Sequence, residues 1–351
     1  MNKTLLTLSI LALSHSVFAV ENGTPVNATL YPSLVEMGCT GTIIGGKWVL
    51  TAWHCTWADT DGLRPINLVG AETNSEQSKR VNAINENVFT DGVASDISLW
   101  ELERKPDVDK VLFLSNAPLT QNLETVFTIY GFGQSNQQLN SAQYTIDKFF
   151  DIDDEELLFL SAKTEAIAVA GDSGSPYLLD GKIVAITNRA GIIEPPVGVE
   201  GEDYHHTSAS RISYSQDWIL ATIDGWHHQT IGTVDAGQSS TIEIQSLHVN
   251  PIVDDAAVSG DIELDVTNSS CMAEQVQPFD ICTYTVTSEN GYEGILTLAD
   301  GQTVTFNKGK SKPVPPPTPE PTPDDGGSSG GSLGFLSLLG LLGLIRLRNN
   351  K

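Results

Sequence analysis

Apolar positions along this chain fall mostly in short runs broken by glycine, asparagine and aspartate, a pattern of strands and tight turns. Residues 39–44 and 48–52 are two such runs joined by Gly45-Gly46, which predicts a hairpin. Residues 97–102 alternate as a strand does, and 126–133 and 183–187 add further strands. One stretch departs from the pattern. Over 213–222, Ser213 and Gln216 fit a capping box, and Tyr214, Trp218 and Ala221 share one helical face, so a helix is expected there. Beyond it, 241–244, 261–266, 282–287 and a hairpin of 295–298 with 303–306 around Asp300-Gly301 predict a small, Ig-like β-sandwich.

The two ends carry other patterns. A basic start at Lys3, an apolar run over 5–18 and the small residue Ala19 read as a secretory signal peptide. At the far end, 313–323 is an extended Pro-rich spacer, 324–332 is rich in Gly and Ser, and 333–345 is mainly apolar. That apolar run falls short of the roughly 20 residues a permanent span needs. Arg346, Arg348 and Lys351 nevertheless suit the cytoplasmic flank of a membrane segment, so a transmembrane helix is expected in the tail. The predicted organisation is a signal peptide over 1–19, a main domain over 20–228, a sandwich over 229–310, a linker over 311–332 and a tail over 333–351.

Charge narrows the function. The 351 residues carry 19 basic and 44 acidic side chains, a formal charge of −25. Such a surface repels nucleic acid and anionic membrane and suits a soluble protein outside the cell. In an oxidising compartment the four cysteines are expected as disulfide partners. The acidic loop over 151–156 has no ligand spacing and is read as solvated. His248, Asp254, Asp255 and Asp265 are likewise read as surface residues rather than metal ligands.

The candidate chemistry centres on Gly171-Asp172-Ser173-Gly174-Ser175-Pro176, just ahead of the apolar run Tyr177-Leu178-Leu179. A serine on a glycine-rich bend projects its hydroxyl while neighbouring N–H groups converge, as a nucleophile with an oxyanion hole requires. A base and an orienting acid are available upstream. His54 lies in Leu50-Thr51-Ala52-Trp53-His54-Cys55, and Asp96 opens the strand Asp96-Ile97-Ser98-Leu99-Trp100.

The order His54, Asp96, Ser173 and the sequence around each resemble the chymotrypsin/trypsin-like serine peptidases over about 20–225, in particular a secreted, Vibrio-type extracellular member. The resemblance implies an all-β fold of two six-stranded Greek-key barrels with a C-terminal helix, followed here by the sandwich. It implies a secreted serine endopeptidase that acts on protein or peptide substrates as a monomer, with no cofactor or metal. His54 would be the base, Asp96 its orienting acid, and the amides of Gly171 and Ser173 the oxyanion donors. Cys39 would pair with Cys55 as in the family, and Cys271 with Cys282 inside the sandwich.

Val20-Glu21-Asn22-Gly23 is similar to the N-terminus that activation frees in this family, whose amine pairs with the acid before the nucleophile, here Asp172. A cut after Ala19 would make signal removal the activation step. Ile167, six residues before Ser173, falls at the floor of the primary pocket, with Ala185 and Thr187 along its wall. An apolar or small P1 side chain follows. A two-residue gap would instead put Glu165 at the floor and favour Arg or Lys. The tail is similar to the bacterial Gly-Gly sorting tails that a rhomboid-type protease removes during type II secretion, leaving the protein in the medium or on the outer surface. A permanent anchor is the alternative. Glu21, Trp53, Ser175 and Thr187 depart from the usual residues and keep open a second class, an inactive binding protein on the same scaffold. The sandwich could bind substrate, pack on the peptidase or act as a spacer.

Overall fold

The computed structural model describes residues 20–55, 64–71, 75–84, 95–119, 122–133, 138–148, 155–193 and 204–313. The signal segment, most of the acidic loop, most of the linker and the tail lie outside these residues.

In chain order, β1 (Thr24–Val26) precedes β2 (Leu34–Glu36), β3 (Thr40–Ile44), β4 (Trp48–Thr51), β5 (Arg64–Asn67), β6 (Ser75–Ile84) and β7 (Ile97–Leu102). The last six close a barrel in the order β2-β3-β4-β7-β6-β5. Ile44 pairs with Trp48 across the predicted hairpin. Gly45 and Gly46 turn it with φ of +53° and +77°, a region open to glycine at little cost.

The second half consists of β8 (Val126–Gly131), β9 (Leu139–Ile146), β10 (Leu157–Ala162), β11 (Pro176–Leu179), β12 (Lys182–Ile193) and β13 (Tyr204–Arg211). Here the expectation of two closed six-stranded barrels is corrected. This sheet has seven strands, in the order β1-β9-β10-β13-β12-β11-β8, with an added β9–β8 pairing. The seventh strand is the N-terminal segment. β1 pairs with 139–141 of β9, leaving β10 to pair with only 144–146 of that strand. One closed six-stranded barrel stands beside a seven-stranded sheet.

Helix α1 (Ile212–Ile223) continues directly from β13. No capping box forms. Arg211 occupies the N-cap without a side-chain cap bond, because a guanidinium has no acceptor for the first-turn amides; its Nε donates instead to the carbonyl of Leu157 at 2.9 Å. Gln216 instead accepts from Asn116 at 2.9 Å. The buried face is Ile212, Ser215, Ile219 and Leu220, whereas Tyr214 of the predicted stripe is exposed. Among the described residues no helix is long and apolar enough to cross a membrane; the run 333–345, where the transmembrane helix was expected, lies outside them.

After α1 come β14 (Gly225–His228), β15 (Ile231–Gly232), β16 (Gln238–Leu247), β17 (Ala257–Gly260), β18 (Glu263–Leu264), β19 (Ile281–Ser288), β20 (Gly294–Thr297) and β21 (Thr303–Phe306). They form two four-stranded sheets, β14-β16-β19-β18 and β15-β21-β20-β17, around one core. Trp226, Ile244, Tyr284 and Val286 come from the first sheet, and Leu296, Val304 and Phe306 from the second. Cys271 and Cys282 are disulfide-bonded. Two residues read as surface groups are buried instead. Asp254 accepts from Tyr284 and from the amide of Ala299, and His248 stacks edge-on against Trp226.

A continuous apolar cluster joins these bodies. Leu50 and Leu99 of the barrel, Ile183 and Ile186 of the seven-stranded sheet, Ile219 of α1 and Leu247 and Phe279 of the sandwich all belong to it. The described residues up to 312 therefore pack within one compact unit.

Candidate active site

Ser173 sits at the crossing of the two halves. Its turn needs glycine on both sides: Gly171 has φ +95° and Gly174 φ +81°. A Cβ on Gly174 would lie 2.2 Å from the carbonyl oxygen of Thr40. The carbonyl of Ser173 accepts from the amide of Thr40 at 2.9 Å, which straps the turn to the first strand of the β3–β4 hairpin. Thr40 does more: its hydroxyl donates to the carbonyl of Gly171 at 3.1 Å and accepts from the amide of Phe132 at 2.9 Å. Sequence reading assigned no role to Thr40, because a threonine after a half-cystine carries no signature of a hub.

His54 lies in a single 3-10 turn, Trp53–Cys55, directly after β4. The Cys39–Cys55 disulfide ties that turn to the start of the same hairpin. β4 and β7 are partners, with Thr51 opposite Ser98, so the residue preceding β7 is delivered beside His54. That residue is Asp96. Its Oδ1 accepts from the amide of His54 at 2.8 Å, and its Oδ2 accepts from the ring Nδ1 in a short contact. With Nδ1 carrying the hydrogen, Nε2 is free to accept, and Ser173 Oγ donates to it at 2.8 Å. Asp96 is buried while the imidazole is 44% exposed, so the acid is shielded and the base faces solvent. The amide of Asp96 donates to Ser210 Oγ on β13 at 3.2 Å, a contact between the halves that sequence reading did not name.

Amides around the serine divide into two groups. Those of Asp172, Gly174 and Ser175 donate to the carbonyls of Val169, Thr187 and Asp172. Those of Gly171 and Ser173 donate to no protein acceptor among the described residues.

The backbone nitrogen of Val20 lies 3.0 Å from Asp172 Oδ2, with both residues fully buried. The same oxygen accepts from the amide of Val169 at 2.9 Å. Burial pushes the Asp172 carboxyl up to about 7, against the opposing pull of the amides of Val169, Val20 and Gly133.

Of the residues expected at the primary pocket, Ile167 is half-buried and its amide donates to the carbonyl of Glu21 at 2.8 Å. Ala185 is wholly buried opposite Tyr177, and Thr187 donates from its hydroxyl to the carbonyl of Ser175. Glu165 is exposed, and its carbonyl accepts from Asn22. Among the described residues no group of three or more His, Cys, Asp or Glu side chains is placed to hold a metal ion.

Comparison with known proteins agrees with this geometry. The trypsin family model matches residues 18–219. A collagenase of Hypoderma lineatum is 26% identical over 200 residues, spanning 52% of this chain and 74% of that protein. Among solved structures, mouse neuropsin, described as a serine protease, shares 22% identity at a TM-score of 0.46, covering 57% of this chain and 99% of its own. The Vibrio cholerae VesB protease shares 16% identity at a TM-score of 0.43, covering 81% of this chain and 98% of its own. With its histidine, aspartate and serine arranged as above, the chain belongs to the trypsin family and is a serine endopeptidase.

Proposed function

We propose that Ser173 attacks the peptide carbonyl while His54 takes its proton and later delivers it to the leaving amine. Asp96 holds the imidazole in the accepting tautomer. The amides of Gly171 and Ser173 receive the tetrahedral oxyanion. The carrying observation is the unbroken line from Asp96 through His54 to Ser173 Oγ, supported by two amides that no described protein group engages.

The enzyme becomes active when the signal segment is cut after Ala19. Val20 has φ +36°, a strained setting for a β-branched residue. That torsion is defined through the bond to Ala19, so cutting the bond abolishes the strain. The new ammonium would then lie against the Asp172 carboxylate. For the substrate, the half-buried Ile167 and the exposed Glu165 favour an apolar or small P1 residue over Arg or Lys.

The enzyme works outside the cytoplasm, in keeping with its two disulfides and its charge of −25. The tail sequence supports removal by a sorting protease and export by type II secretion, with release or surface attachment afterwards. The working form is a monomer.

The test is intact mass and peptide mapping of the exported protein before and after a fluorophosphonate probe. One adduct on Ser173, in a chain beginning at Val20, is the expected result. An unlabelled chain beginning at Val20 would leave the scaffold as a binding protein.

A further inference from the structure

His227 of β14 and Gln245 of β16 are cross-strand partners, and neither has any exposure. Paired residues of an antiparallel ladder emerge on the same face. Their neighbours Trp226 and Ile244 point into the sandwich core, so this pair points away from it. It meets the segment that connects β7 to β8. One end of that connection leads from the half with His54 and Asp96, and the other leads to the half with Ser173.

The grip on this connection is specific. Gln245 Oε1 accepts from the amide of Leu114 at 2.9 Å, and its Nε2 donates to the carbonyls of Leu114 at 2.7 Å and Phe279 at 3.0 Å. His227 Nε2 donates to the carbonyl of Leu112 at 2.9 Å, while Nδ1 accepts from the amide of Gly45 at 3.2 Å. Burial pushes His227 down to about 4, so the ring is neutral and can accept. Thr230 adds a third hold, its hydroxyl accepting from the amide of Val108 at 2.7 Å.

Both lines of contact run on to the catalytic groups. Leu114 bridges Ile183 of β12, with Ile183 donating to Phe113 and Ser115 donating back to Ile183, each at 2.8 Å. Further along β12, Thr187 accepts from the amide of Gly174 and donates from its own amide to Ser175, the two residues after the nucleophile. Gly45 is the turn of the β3–β4 hairpin, whose first strand holds Ser173 through Thr40 and whose second leads to His54.

We propose that His227 and Gln245 are positioning residues of the peptidase: through Leu112, Leu114 and Gly45 they fix the half carrying His54 and Asp96 against the half carrying Ser173. The sandwich is then part of the catalytic apparatus rather than a spacer or a substrate-binding appendage. This rests on the triad proposed above.

The experiment uses the full exported protein with Gln245→Met, which keeps length and loses all three hydrogen bonds. Peptide turnover and fluorophosphonate labelling are measured well below the variant's own melting temperature and normalised to folded protein by near-ultraviolet circular dichroism. A misplacement of about 1 Å costs on the order of 100-fold, so kcat and the labelling rate per folded molecule should fall 10- to 100-fold, with KM changed by about twofold or less. A folded variant that melts earlier but keeps its wild-type kcat and labelling rate would overturn the proposal and leave the pair a stabilising role only. If Gln245→Met does not fold, His227→Asn, which removes the Leu112 bond, is judged by the same two readouts. Absence of labelling on Ser173 in the wild-type protein would overturn the triad itself, a failure distinct from that of the clamp.

Discussion

Val20 and Asp172, separated by 152 positions in the chain, meet inside the protein with nitrogen and carboxylate oxygen 3.0 Å apart. Once the chain is cut before Val20, this contact becomes a buried ion pair. Removing one partner of such a pair costs about 3–5 kcal/mol, because the other charge stays buried and unpaired. Asp172→Asn should therefore lower kcat/KM on the order of 100- to 1,000-fold in a chain that still begins at Val20. N-terminal sequencing with active-site titration checks this. Full activity in that variant would remove Val20 from the activation mechanism.

The same carboxyl predicts opposite pH behaviour before and after the cut. In the uncut chain its partners are neutral amides, and burial raises it to about 7 against an ordinary value of 3.8. A carboxyl raised on folding contributes most below its unfolded value, and that contribution is lost as pH rises through the folded one. The uncut protein, obtained with Ala19→Trp, should lose up to about 4 kcal/mol between pH 4 and pH 7. In the cut protein the ammonium favours the carboxylate, so this loss should be absent. Urea unfolding of both forms across that window measures the difference.

Acid should weaken the sandwich as well as its seam with the barrel. Burial lowers His227 and His228 to about 4, and the nearby Lys105 charge adds to the effect at His228. An unfolded histidine titrates near 6.5, so these groups cost nothing above that value, and stability falls as pH drops from about 6.5 to 4. The limit is roughly 3 kcal/mol for each histidine. His228→Gln should lose measurably less than wild type between pH 7 and pH 4.5, read as the shift in urea midpoint.

The site was more legible in the sequence than the architecture around it. His54, Asp96 and Ser173 sit in local contexts that announce themselves, since a glycine-rich serine turn and a histidine beside a half-cystine are short-range signals. Strand pairing is not short-range. Nothing near Thr24 says that it will pair with Ser141 and so add a seventh strand to the second sheet. Helix α1 shows a similar limit: the Ser213–Gln216 spacing fitted a capping box, but β13 runs straight into the helix and puts Arg211 at the cap. His248 and Asp254 looked like surface residues because polarity suggests exposure. Their burial depends on Trp226 and Tyr284, contributed from distant strands. The clamp of His227 and Gln245 was silent for the same reason.

Gly171 offers a direct test of the oxyanion assignment. Its φ of +95° already disfavours any side chain, and a Cβ there would lie 2.1 Å from the carbonyl oxygen and 2.3 Å from the carbonyl carbon of Gly133. Both obstructing atoms are backbone, so the turn itself must move if alanine is introduced. That movement rotates the Gly171 amide away from the oxyanion, whereas His54 and Asp96 are carried by the other half. Gly171→Ala should thus reduce kcat on the order of 100- to 1,000-fold, the cost of losing one such donor, with a much smaller change in KM. A peptide boronate, which forms a tetrahedral adduct on the serine, should lose affinity in parallel with kcat/KM. Wild-type kcat in a correctly folded Gly171→Ala protein would exclude the Gly171 amide as an oxyanion donor and leave the Ser173 amide alone in that role.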